Sequence, residues 1–168
     1  RIKIGSRRVD IARLTPGMTN EPAITGGYIF KKDKDSEGDT WFTTSGGAGH
    51  SGHLLKFHDP KPKEISLVQS NWIRNYVRQF EAAMYAANWT NATGTNHYSH
   101  YIDVDAFVDQ HLHVEFTKQI DGYRLSSYYS KDRNGKLKPE PIWDWNLSFG
   151  NADYLQGGKT SGWYWNLQ

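Results

Sequence analysis

Apolar residues recur along this chain at two spacings, and the spacing changes from one third of it to the next. Through residues 1–60 they come in short runs bounded by glycine, proline and acidic residues, the pattern of strands and turns. Ile2 and Ile4 alternate with polar neighbours, so Arg1–Ile4 is expected as a short strand whose pattern starts abruptly and which lacks one natural neighbour. Gly26-Gly27 opens Tyr28-Ile29-Phe30-Lys31, Trp41–Thr44 is β-prone, and His53–Phe57 is a further strand before Pro60 and Pro62. Asp33–Asp39 reads as a polar turn and Ser45–Gly52 as a glycine-rich loop. Over residues 65–86 the period lengthens. Ile65, Val68, Trp72, Ile73, Tyr76, Val77, Phe80 and Met84 recur at three- and four-residue steps, one apolar face of a helix. After a polar loop, Asn88–His97, Asp103 is placed to cap a second helix with Val104, Phe107, Val108, Leu112 and Phe116 as its buried stripe. Tyr123–Ser130 then leads to Asn134-Gly135, a two-residue hairpin signal. Lys136–Leu147 returns, with Pro139 and Pro141 marking an edge or irregular portion. The pattern predicts one α+β domain over residues 1–168, incomplete at both ends, since Trp163–Gln168 also stops in an apolar stretch.

Composition narrows the function classes. With 168 residues, 37% hydrophobic and 23% charged, the chain can bury a core and is not of disordered type. The net charge is +2 and no Lys/Arg stripe forms, which sets nucleic acid aside as a partner. No apolar run approaches the ~20 residues of a membrane span. The absence of cysteine excludes disulfides, thiolate metal sites and cysteine nucleophiles. Seven Trp and ten Tyr fit an aromatic core and equally an extracellular carbohydrate-binding or adhesion module.

Asp121 and Asp144 are the candidate chemical pair. With a two-residue turn at Asn134-Gly135, Asp144 comes opposite Leu125, four residues from Asp121, so the hairpin returns both acids to one end of the sheet. Two close carboxylates serve phosphoryl transfer, one holding a metal and one orienting the attacking hydroxyl. They also serve glycoside hydrolysis, with Asp144 paired to Glu115 or Asp121. Taken singly, each reads as a surface acid or cap. Gly47-Ala-Gly49-His-Ser-Gly52 matches G-x-G-x-x-G but lacks a strand–turn–helix setting, so it reads as a plain loop. Lys56, with Lys31 as the alternative, has the reach for a phosphate, although each reads first as a solvated strand lysine. His50, His53 and His58 match no zinc spacing, and His111 and His113 point to different helix faces. Glu115 and Lys118 share a helical face, the spacing of an ion pair worth a few tenths of a kcal/mol. Asn88-Trp-Thr90 and Asn91-Ala-Thr93 are glycosylation sequons.

Several segments together resemble the CotH (spore-coat protein H) kinase family. They are Glu115-Phe-Thr-Lys118-Gln-Ile-Asp121-Gly-Tyr123, Ser126-Ser-Tyr-Tyr-Ser-Lys131-Asp132, Gly135-Lys136-Leu137 and Trp143-Asp144-Trp145-Asn146-Leu147-Ser148-Phe149-Gly150-Asn151. Arg8-Val-Asp-Ile11, Thr25–Ile29, Phe80–Tyr85 and Tyr101–Phe107 match upstream in the same order. The resemblance implies an atypical protein-kinase-like core using ATP and Mg²⁺ or Mn²⁺, with a Ser/Thr acceptor on a protein at the cell or spore surface or outside the cell. It implies Asp121 as the catalytic carboxylate and Asp144 as the principal metal ligand, with Asn146 beside it. Glu115, Lys118, Lys56 and Trp143 become supporting or nucleotide-side residues. Two positions depart from the family pattern: Gln119, where Asn is expected, and Asn146, where a second Asp is common.

Overall fold

The computed structural model describes residues 2–91 and 93–167. Five strands, β1 (Tyr28–Lys32), β2 (Trp41–Thr43), β3 (Leu54–Asp59), β4 (Ser127–Lys131) and β5 (Leu137–Pro139), form one antiparallel sheet in the order β2-β3-β1-β4-β5. Side chains alternate across a strand, so β1 divides its residues between two faces. Tyr28 and Phe30 join Phe42, Leu55, Phe57 and Leu137 in a core with Ile73, Val77 and Ala83. Ile29 joins Tyr128, Ile2, Val9 and Ile11 in a smaller cluster on the other face.

The helices lie on the first face. The first, α1 (Leu67–Tyr85), begins in a capping box: Ser66 Oγ accepts from the Gln69 amide and the Gln69 side chain accepts from the Ser66 amide. Its buried face carries Ile73 and Val77, as the periodicity requires, but Val68 is half exposed. The second helix, α2 (Val104–Thr117), is capped by Asp103, whose Oδ1 accepts from the Ala106 amide at 3.2 Å. It ends at Lys118 in the left-handed conformation, with the Gln119 amide returning to the Val114 carbonyl at 3.2 Å.

The structure corrects three expectations. Residues 2–4 are not a strand awaiting a neighbour. Arg8 donates to the Gly5 carbonyl at 2.8 Å, the chain reverses, and Ile4 makes a single bridge to Val9 while Ile2 packs inward; Arg1 lies outside the described residues. The β4–β5 connection spans Asp132–Lys136 rather than two residues, because Asp132 Oδ1 accepts from the Ala12 and Arg133 amides. Lys131 then pairs with Leu137, one place from the expected register. On α2, Val108, Leu112 and Phe116 are exposed at 50%, 49% and 80%. Val104 and Phe107 of the expected stripe do pack against the core, and the ridge that faces the protein continues from them through Val114 and Thr117.

Candidate active site

Helix α2 delivers the first acid. Its left-handed end at Lys118 turns the next residue inward, and the Gln119 side chain is 1% exposed. Gln119 Oε1 accepts from the Asp121 amide at 2.9 Å, and its Nε2 donates to the Asp144 carbonyl at 2.9 Å. A single amide group thus spans the two acidic motifs. The Asp121 carboxylate is 13% exposed and accepts from Arg124 at 2.9 Å.

The second acid sits where β5 has ended. Past Pro139 the chain leaves the sheet, and Asp144 adopts φ 60, ψ 47 before a 3-10 turn at Trp145–Leu147. This left-handed geometry costs roughly 1–2 kcal/mol for a residue with a Cβ. Neighbouring contacts hold it: Gln119 on its carbonyl, and Ser126 Oγ donating to its Oδ2 at 3.2 Å. The motif is docked a second time by the Phe149 amide, which donates to the Thr117 carbonyl at 2.6 Å.

A charged surface extends from Asp144 across the open face of the sheet. The register puts Lys31 opposite Lys56 on one side and Tyr128 on the other. Lys31 Nζ pairs with Asp33 at 3.2 Å. Lys56 is buried, not a solvated strand lysine, and its ammonium reaches Asp35 at 2.6 Å and Asp39 at 3.5 Å. Burial would lower its pKa, but these two carboxylates reverse the effect and raise it. Trp143 stands edge-on to Tyr128 with ring centroids 6.5 Å apart. The Tyr128 hydroxyl is pushed up to about 12, first by burial and then by the charges of Asp33, Asp144 and Asp39.

The supporting residues divide. Trp143 precedes Asp144 in the chain and packs on Tyr128. Asn146 is exposed two residues beyond Asp144, and its carbonyl accepts from Asn151 Nδ2 at 2.6 Å. Glu115 and Lys118 do not pair with each other. Glu115 is buried and accepts from the Tyr123 hydroxyl at 2.7 Å, the Trp165 amide at 2.9 Å and the Tyr164 amide. Burial pushes its pKa up, but these donors outweigh burial and leave it below the usual value. Lys118 Nζ donates to the Gly162 carbonyl. Both residues therefore hold the C-terminal segment, where the Tyr164 hydroxyl donates to the Ile120 carbonyl at 3.0 Å, next to Asp121.

The glycine-rich loop is already filled. The Ser45 and Gly46 amides donate to Glu81 Oε2 at 2.7 and 3.1 Å, so a carboxylate of the chain occupies the place a phosphate would take. A cavity of about 180 Å³ lies on the helix side, lined by Phe30, Val77, Phe107 and Tyr129 and touching neither acid. Among the exposed Trp and Tyr side chains of the described residues, no two are in ring contact. The sequence reading missed the role of Ser126. Its signal was a hydroxyl five residues after Asp121, just before a strand.

Comparisons with curated proteins and with solved structures gave no match. Residues 23–166, which contain Asp121, Asp144 and nearly all of the sheet and helices described above, match the sequence model of the family described as CotH kinase protein, and the chain belongs to that family.

Proposed function

We propose that this chain carries the catalytic residues of an atypical protein kinase that transfers the γ-phosphate of ATP to a Ser/Thr hydroxyl of a secreted or surface protein. The observation that carries this reading is the Gln119 bridge between Asp121 and Asp144, with Ser126 bonded to the Asp144 carboxylate. The order of parts supports it. In protein kinases a catalytic-loop Asp is followed five residues later by an Asn, and a second Asp follows that also serves the metal. Here Asp121 precedes Ser126 by five residues, and Asp144 follows the β4–β5 hairpin.

The donor set suits Mg²⁺ or Mn²⁺. Asp144 and Ser126 offer hard oxygen atoms, and no group of three or more His, Cys, Asp or Glu among the described residues forms a cage. Mg²⁺ is commonly bound by one or two carboxylates, with phosphates and water completing the shell. Asp144 would hold it, with Ser126 and Asn146 as neutral partners. When bound, such an ion neutralises charge between the phosphates. Asp121 would accept a hydrogen bond from the acceptor hydroxyl, and Arg124 would orient that carboxylate. Lys31, rather than the buried and paired Lys56, would supply positive charge on the sheet face, and Trp143 with Tyr128 a flat apolar edge for a base. No helix of the described residues is long and apolar enough to cross a membrane.

The test is calorimetric titration with ATP, with and without Mg²⁺, followed by phosphate transfer to Ser/Thr peptides. Metal-dependent binding with transfer supports the reading. Binding of oligosaccharide and not of nucleotide would replace it with a carbohydrate-handling function.

A further inference from the structure

Gln119 differs from the other polar groups around the two acids. It is as buried as the core, yet among the described residues both hydrogen bonds of its side chain go to the backbone of an acid assigned to chemistry. Its two bonds are unequal in reach. The bond to the Asp121 amide is local, two residues on, and a shorter side chain can make it. The bond to the Asp144 carbonyl crosses 25 residues and reaches a backbone held in the left-handed region. The Asp144 carboxylate is exposed, so its direction depends on that backbone conformation and on Ser126. We infer that Gln119 is the positioning residue of this site: its Nε2–H bond to the Asp144 carbonyl sets the direction of the metal-holding carboxylate and its spacing from Asp121. This rests on the phosphotransferase reading above.

Second-layer partners of metal ligands typically change metal affinity or activity by about 10–100-fold when removed. Two substitutions isolate the long bond. In Gln119→Glu the side chain keeps its length and still accepts from the Asp121 amide, but an ionised carboxylate has nothing to donate to Asp144. In Gln119→Asn the amide stays, one methylene shorter, which favours the local bond and falls short of Asp144. Should one variant fail to fold, the other still decides.

The experiment titrates Mg²⁺ into wild type and both variants with a non-hydrolysable ATP analogue, alongside metal-free analogue binding and metal-free thermal unfolding. The expected result is a Mg²⁺ midpoint raised about tenfold in each folded variant, with metal-free analogue affinity within about twofold of wild type. A merely structural role would instead weaken analogue binding equally with and without Mg²⁺, alongside a lower Tm. That pattern, or an unchanged Mg²⁺ midpoint, overturns the inference and leaves the phosphotransferase reading standing. Absence of Mg²⁺-dependent analogue binding by the wild type overturns the reading and the inference together.

Discussion

The two faces of the sheet each hold a buried lysine, and they hold it by different means. On the open face, Lys56 is neutralised by Asp35, which is 92% exposed, and Asp39, which is 15% exposed. On the helix face, Lys131 makes no ion pair among the described residues. Its Nζ donates to the Thr25 carbonyl at 2.6 Å and the Asp132 carbonyl at 2.9 Å, and lies 4.8 Å from the Tyr76 ring centre and 5.4 Å from that of Trp72. Carbonyl dipoles and ring faces stabilise a cation locally but leave it nothing to exchange with a ligand. A carboxylate partner at the surface can be displaced or recruited. The difference teaches that the helix face uses its charge to fasten the Ala23–Thr25 turn and α1 to the sheet. The other face keeps charge of both signs, paired side chain to side chain.

The sharpest way to break this contrast is at the acids. Asp144→Ala should abolish Mg²⁺-dependent nucleotide binding and, with it, transfer. Asp121→Ala should leave nucleotide binding near wild type and lower turnover by about 10²–10⁴-fold, the usual contribution of a proton acceptor in the transition state. Calorimetry and turnover measured on both variants check this. Equal loss of nucleotide binding in the two would end the division of labour and make the open face a single structural unit.

The next test concerns the lysines and has a defined pH window. Burial lowers the Lys131 ammonium from 10.5 to about 8. Between those values the unfolded chain binds more protons than the folded one, so this group's contribution to stability rises as pH rises from 8 towards 10.5. Tyr28 and Tyr76 are shifted the opposite way in consequence. Burial raises both hydroxyls, so above pH 10 the unfolded chain loses their protons first and stability falls. Denaturant unfolding should therefore give a stability that climbs by about 2 kcal/mol from pH 8 to pH 10 and then declines. Lys131→Met should flatten the climb. Lys56→Met should leave it in place, because carboxylates hold the Lys56 pKa above 10.5. An unchanged climb in Lys131→Met would show that Lys131 is not the group responsible.

What was readable in the sequence followed from period and chemistry at the same positions. Strands β1, β2 and β3 and the body of α1 came from apolar spacing, because each buries one regular face. Asp121 and Asp144 were found by type and motif. Their connection was not, because it runs through a glutamine whose burial no local pattern encodes. The Glu115–Lys118 pair looked sound at helical spacing. It failed because Lys118 is the left-handed end residue, and both side chains turn to the C-terminal segment. The Asn134-Gly135 turn was displaced by Asp132, whose carboxylate serves the Ala12 amide far upstream. In both of these cases a polar side chain is recruited by a distant backbone group.

Helix α2 supplies the smallest expected effect and a clear discrimination. The stripe read from the sequence runs from Val104 and Phe107 to Phe116, and packing decides which part of it is core. Phe107 sits within 6.5 Å of the Phe80 ring centre and 6.2 Å of that of Tyr129, against the main core. Phe116 is 80% exposed and meets the ring of Phe149, itself exposed, edge to face. Removing a packed phenylalanine costs about 3–5 kcal/mol, whereas surface substitutions usually stay within about 0.5 kcal/mol. Phe107→Ala should therefore approach the lower part of the first range, since Phe107 is only partly buried. Phe116→Ser should change the unfolding free energy by no more than about 0.5 kcal/mol. Paired denaturation curves check both. If Phe116→Ser costs as much as Phe107→Ala, the C-terminal part of the stripe read from the sequence is buried in solution as well, and the last turn of α2 must pack differently. That turn leads directly into Lys118 and Gln119, so this small measurement also bears on the spacing of the acids.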